Sequence, residues 1–256
     1  MIVNRRQMLK ILAGSASGLF ASPTFAKELH AQKIKAVAFD AFPIFDPRPI
    51  FKLVETMYPK KGKTLNSVWK TRQFEYQWLR ALSGKYVDFW QATDDALRFA
   101  TKQLKINMSD EQHATIMNSY LNLKPWPDVI SALKSLQDSN IRLAFLSNMT
   151  PKMLTTNIHN SGLDNFFEHI ISTDIKKTYK PSQKAYQLGV DTLKLQREEI
   201  AFAAFAGWDV AGAKWFGYPT FWVNRAGFMK EELGVKADKI GNNLNHLIDF
   251  IKKNNP

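Results

Sequence analysis

Five polar residues of this 256-residue chain have the types and settings that chemistry needs: Asp40, Ser147, Asn148, Lys180 and Asp209. An aspartate carboxylate attacks carbon or phosphorus to give a covalent ester. Ser147, Asn148 and nearby backbone amides can hold a substrate carboxylate or a developing negative charge. Lys180 can balance Asp40 and Asp209; without a cation, two close carboxylates drive one toward protonation and cost it nucleophilicity. Asp209 can then position or deprotonate the water that cleaves the ester. Each residue also has an ordinary reading. Asp40 and Asp209 suit helix caps, Ser147 and Asn148 suit turns, and Lys180 precedes Pro181.

The elements that must position these groups alternate strand and helix. Residues 34–39 (IKAVAF) form a short apolar run, as expected of a strand covered on both faces. Similar runs recur at 142–146, 169–171, 200–206 and 219–223. Thr150 and Pro151 predict a helix start that Gly162 stops, Pro181 predicts a helix to about Leu193, and a third helix runs from Asp209 to Phe216, ending near Gly217. This order predicts an α/β fold, a Rossmann-like parallel sheet with helices on both faces. Between the first and second strands, residues 68–83, 87–103 and 110–123 show helical periodicity, which predicts an inserted helical cap. The expected division is an α/β core over 27–46 and 125–256 with a cap over 47–124. In open parallel sheets, function gathers at the C-terminal strand ends. Asp40, Ser147, Lys180 and Asp209 all fall there.

A net charge of +12 invites a nucleic-acid reading. The cations are scattered, however, and the pairs Lys60–Lys61, Lys176–Lys177 and Lys252–Lys253 do not merge into a stripe. The expected partner is a small anion, with no nucleic acid. The chain has no cysteine, which excludes thiol catalysis, disulfides and cysteine-held metals. Its histidines (His30, His113, His159, His169, His246) show no metal-ligand spacing, so no metal or cofactor is expected.

Residues 1–26 read as an address. Arg5 and Arg6 precede an apolar, Gly/Ser-interrupted stretch from Met8 to Phe25, and Thr24 and Ala26 make a small-x-small end. The arginine pair resembles a twin-arginine export signal. Gly14, Ser15, Ser17, Gly18, Ser22 and Pro23 leave the stretch weakly apolar for a membrane span. The expectation is a periplasmic protein beginning near Lys27 with no stable membrane insertion.

Four stretches, in order, carry a family resemblance: Phe39-Asp40-Ala41-Phe42, Leu146-Ser147-Asn148, Tyr179-Lys180-Pro181, and Gly207-Trp208-Asp209-Val210-Ala211-Gly212-Ala213. They resemble the four motifs of the haloacid dehalogenase superfamily, over essentially the whole chain after the leader. Trp69 to Gly84, and Trp208 through Phe216 to Arg225, are similar to the L-2-haloacid dehalogenases. The resemblance implies Asp40 as nucleophile, Lys180 and Asp209 as its catalytic partners, Lys70 at the halide-binding position, Phe42, Phe74, Phe89 and Trp208 near substrate, and a homodimer. Where superfamily phosphatases carry a second aspartate, two residues after the nucleophile, this chain has Phe42, which moves no proton. A halide leaves as an anion and needs no acid, so displacement at carbon fits and magnesium is not implied.

The pattern is broken at functional positions. Lys70 stands where the family has arginine, which keeps charge but loses the planar fork. Pro43-Ile44 replaces a Gly-Thr pair, and Ala204 and Ala206 align with the family's Ser and Asn. Each lost donor costs about 1–3 kcal/mol where its partner stays buried and charged. The leading expectation is a 2-haloacid dehalogenase-like hydrolase acting through an aspartyl ester. The alternatives are a hydrolase of another small organic acid, an exported binding protein without turnover, and a magnesium-dependent phosphatase.

Overall fold

A computed structural model describes residues 33–255. The export signal read over 1–26 lies outside the described residues. Six strands form one parallel sheet: β1 (Ala36–Phe39), β4 (Arg142–Ser147), β5 (His169–Ser172), β6 (Ile200–Ala204), β7 (Thr220–Val223) and β8 (Lys239–Gly241). Their order is β5-β4-β1-β6-β7-β8, with every neighbouring pair parallel. The chain leaves β1 for β4 on one side and later returns to β6 on the other. The crevice where a parallel sheet changes winding direction therefore opens directly above Asp40.

The strands show the period of two that two covered faces demand. Val37, Phe39, Leu143, Phe145, Ala201, Ala203 and Phe221 enter one apolar cluster. Ala36, Ala38, Ala144, Leu146, Ile200, Phe202 and Ala204 enter the other. Helices α5 (Val129–Asp138), α6 (Pro151–Asn160), α7 (Gln183–Leu193), α8 (Gly207–Phe216) and α9 (Leu244–Asn254) accompany the sheet.

Between β1 and β4 the chain forms a short antiparallel ribbon, β2 (Phe45–Asp46) with β3 (Lys124–Pro125). Four helices lie between those two strands: α1 (Arg48–Met57), α2 (Gly62–Leu82), α3 (Phe89–Gln103) and α4 (Asp110–Asn118). Helix α3 is capped by Asp88, whose side chain accepts from Gln91 N, and α4 by a Ser109–Gln112 capping box. Among the described residues, no helix is long and apolar enough to cross a membrane.

Element ends differ from the sequence reading for local reasons. β6 stops at Ala204, not Ala206, because Ala206 turns out of the sheet and its carbonyl accepts from Asp209 N and Val210 N, both at 3.1 Å. α7 starts at Gln183, since residues 179–182 form a turn closed by Ser182 N on Tyr179 O at 3.0 Å. α2 begins at Gly62, six residues earlier than its apolar pattern, because residues 62–67 are mostly polar. Helices α1, α5 and α9 and strand β8 carried no sequence expectation.

Candidate active site

Four chain segments converge above the centre of the sheet: the ends of β1 and β4, the turn before α7, and α8. β1 ends at Phe39, and the Asp40 amide donates to Ala203 O of β6 at 3.1 Å, which holds the carboxylate at the crevice. β4 ends at Ser147, whose hydroxyl donates to Asp40 Oδ1 at 3.4 Å. The turn before α7 lays Lys180 across the sheet. Its Nζ donates to Asp40 Oδ1 at 2.9 Å and to Asp209 Oδ2 at 2.6 Å. Lys180 and Asp209 side chains are each 1% exposed, whereas Asp40 is 14% exposed. The nucleophile candidate is thus the member of the trio that faces solvent.

One ammonium serving two carboxylates sets the electrostatics. Burial pushes the Asp209 carboxyl up to about 6, and Asp40 adds to that rise. Lys180 and the hydrogen bonds from Lys180 and Tyr186 oppose it. Burial alone would lower Lys180, but the charges of Asp209 and Asp40 outweigh it and raise its pKa, so it stays an ammonium. One cation neutralises one carboxylate, so the second negative charge is the expensive one.

Tyr186 joins the trio as a fourth side chain and was not singled out from the sequence. Its hydroxyl donates to Asp209 Oδ1 at 2.6 Å, leaving Oδ2 to Lys180. Gly212 on α8 admits it, since a β-carbon there would collide with the Tyr186 hydroxyl and with Pro181. In sequence Tyr186 reads as one more aromatic on the buried face of α7. The available signal was its hydroxyl, which needs a partner when buried.

Asn148 is tied down by neighbours. Its Oδ1 accepts from Lys180 N at 2.9 Å and from Thr173 Oγ1 at 3.2 Å, while its Nδ2 donates to Gln77 Oε1 at 3.3 Å. Phe42 N donates weakly to Asp40 Oδ2 at 3.3 Å, and its ring stands 5.8 Å from Phe205. Trp208 meets Phe74 and Trp78 of α2 at ring distances of 5.5 and 5.7 Å. The Trp78 indole also donates to Lys180 O at 3.2 Å. Lys70 is not brought to this group: it is exposed, with Nζ 4.7 Å from the centre of the Phe51 ring. Ala204 is fully buried in the sheet, and Ala206 caps α8 through its backbone alone. Among the described residues, no three histidine, aspartate or glutamate side chains gather where a metal ion would be held.

Residues 30–217 match the haloacid dehalogenase-like hydrolase family. This chain belongs to that family. Among curated relatives, the hydrolase is 41% identical to haloacetate dehalogenase H-2 of Moraxella sp. (strain B), over 81% of this chain and 93% of the relative. A crystal structure of an L-2-haloacid dehalogenase superposes with a TM-score of 0.84 at 34% identity, covering 86% of the hydrolase and 99% of that chain. The L-2-haloacid dehalogenase from Xanthobacter autotrophicus with chloropropionic acid covalently bound superposes with a TM-score of 0.78 at 31% identity, over 86% and 98%. In the hydrolase, Lys70, Ala204 and Ala206 present no side-chain group to the Asp40–Lys180–Asp209 trio.

Proposed function

We propose that this chain hydrolyses 2-halo acids through an aspartyl ester on Asp40. The observation that carries the reading is the lysine bridge. Lys180 holds Asp40 Oδ1 and Asp209 Oδ2 with one ammonium, so the two carboxylates sit beside each other, Asp40 toward solvent and Asp209 buried behind it. Asp40 Oδ1 also accepts from Ser147, whereas Oδ2 has only the long contact from Phe42 N. Oδ2 is therefore the less restrained oxygen and the one to attack C2. The new C–O bond forms as the carbon–halogen bond breaks, and halide leaves with the electron pair. Phe42 has no proton to give, and halide requires none.

Water then attacks the Asp40 side-chain carbonyl of the ester. Asp209 takes one water proton, the acyl–oxygen bond breaks as the other water hydrogen passes to the departing 2-hydroxy acid, the Asp40 carboxylate is restored, and Asp209 releases its proton to solvent. The covalent chloropropionate adduct in the Xanthobacter autotrophicus structure supports this route. The test is halide release by the wild-type protein from 2-chloropropionate of each hand, beside Asp40→Asn. Release by wild type and a loss of at least about a thousandfold in the variant are expected; full activity in Asp40→Asn sinks the mechanism.

Ala204 and Ala206 favour a second reading, turnover of another small organic acid, because they bring no donor to the turn before Asp209. Wild type that releases no halide yet hydrolyses other small esters would select it. Arg5 and Arg6 support export to the periplasm, with residues 27–256 as the working protein and the helical stretch 47–124 as its cap. Replacing both arginines by lysine is expected to leave the protein in the cytoplasmic fraction.

A further inference from the structure

The helix that faces the sheet carries an amide with nowhere to donate. Gln77, on α2, is 0% exposed, and its Nε2 has no acceptor among the described residues. The assignment of its oxygen and nitrogen is fixed by a chain of constraints. Lys180 N is a backbone donor, so the Asn148 atom that receives it at 2.9 Å is Oδ1. Thr173 Oγ1 donates to the same atom. Asn148 Nδ2 is then a donor, and the Gln77 atom facing it at 3.3 Å is Oε1. Turning the Gln77 amide over would set two donors against each other, so both Nε2 hydrogens remain unused. The other buried orphans differ: Arg80 Nη1 and His113 Nε2 lie against the carboxylates of Asp95 and Asp94, and Asn66 Oδ1 is an acceptor.

A buried donor left unmatched costs about 1–3 kcal/mol. This one sits next to the site. Gln77 touches Asn148, the neighbour of Ser147, and the following residue, Trp78, donates to the Lys180 carbonyl. Its position one turn beyond Phe74, whose ring meets Trp208, places it on the face of α2 that looks onto the strand ends. We infer that Gln77 Nε2 is a binding donor for the substrate carboxylate, contributed by the insertion and selecting acids over their neutral amides. The inference rests on the 2-halo acid reading. A carboxylate offers acceptor oxygens to both amide hydrogens. A carboxamide offers one acceptor and brings an NH₂ that opposes the donor, and a site built around a buried hydrogen bond rejects the analogue that cannot make it.

The experiment uses two variants of the full chain. Gln77→Met removes the amide at similar size; Gln77→Glu keeps an acceptor for Asn148 and removes the donor. The readouts are kcat and KM for halide release from 2-chloropropionate, its ratio to 2-chloropropionamide, and direct titration with propionate, which has no leaving group. Both variants are expected to raise KM and weaken propionate binding about tenfold or more, with kcat changed less, and to narrow the acid-to-amide preference. Full activity and binding in Gln77→Glu, with loss only in Gln77→Met, overturns the inference and reduces Gln77 to a support for Asn148. Unchanged behaviour in both variants overturns it as well. If wild type releases no halide but binds propionate through Gln77, the dehalogenase reading falls and the carboxylate site stands.

Discussion

On the sheet side of the crevice, charge is buried and paired. Lys180 lies between Asp40 and Asp209, and Tyr186 holds the oxygen of Asp209 that Lys180 does not reach. On the insertion side, charge is turned outward. Lys70 and Arg72 rest over the rings of Phe51 and Phe99, and the side chains that α2 gives to the strand ends are Phe74, Trp78 and the amide of Gln77. Bond-making groups need fixed protonation states, which buried ion pairs supply when every partner is satisfied. Groups that choose a substrate need shape and a few placed donors. The division between the two sides follows that difference.

The largest test of the sheet side is Lys180→Met. It leaves the buried Asp209 carboxylate and the partly exposed Asp40 carboxylate without their shared cation. Halide release is expected to fall about a hundred- to a thousandfold, and unfolding by denaturant to show a loss of about 3–5 kcal/mol. A variant that keeps its activity would mean that the bridge is structural only.

Where α8 meets the insertion, Trp208→Ala removes ring contacts with both Phe74 and Trp78. Steady-state kinetics should show KM raised about tenfold with a smaller change in kcat. A fall confined to kcat would move Trp208 to the chemical side of the division.

The pH profile sharpens the sheet side further. With Asp209 pushed up to about 6, activity is expected to rise with pH through that value as the carboxylate forms. Its effect on stability runs the other way. Between the ordinary carboxylate range near about 4 and the raised value, the native state binds more protons than the unfolded one. This group's contribution to stability is therefore present at low pH and lost as pH rises through about 6. Tyr186→Phe removes a hydrogen bond that favours the charged form, so the acid limb of the rate profile should move up by about one unit. A limb that stays in place would show that Asp209 is not the titrating group.

The smallest effect is expected at Lys70. As an exposed side chain over Phe51, Lys70→Met should change halide release by less than about twofold. A loss of tenfold or more would show that the side chain leaves Phe51 to meet the departing halide, as its alignment with the family's arginine implies.

Much of the fold was legible because its signals are local. The strand runs at 34–39 and 142–146 are apolar on both faces, and Thr150 and Gly162 mark their helix ends by cap chemistry. The elements not anticipated carry weaker local signals. Helix α1 opens at Pro47 and Arg48 without a side-chain cap, and β8 is a three-residue edge strand whose first two residues are exposed. Asp128 joins α5 to the later chain through Arg225 and the Leu244 amide, a link that no spacing announces.

By itself the sequence determined which groups can act: a strand-terminal aspartate, a lysine before proline and a second aspartate opening a helix. Those are matters of residue type and of periodicity within one element, which short-range sterics and hydrophobic patterning dictate. The tertiary structure alone decided which of them meet. Asp40 and Lys180 are 140 positions apart, and Asn148 and Gln77 are 71 apart. Such pairs form only when sheet order and helix packing close the intervening loops. The same closure turned Lys70 outward, brought Tyr186 to Asp209 over Gly212, and left the Gln77 amide nitrogen, next to Asn148, without an acceptor among the described residues.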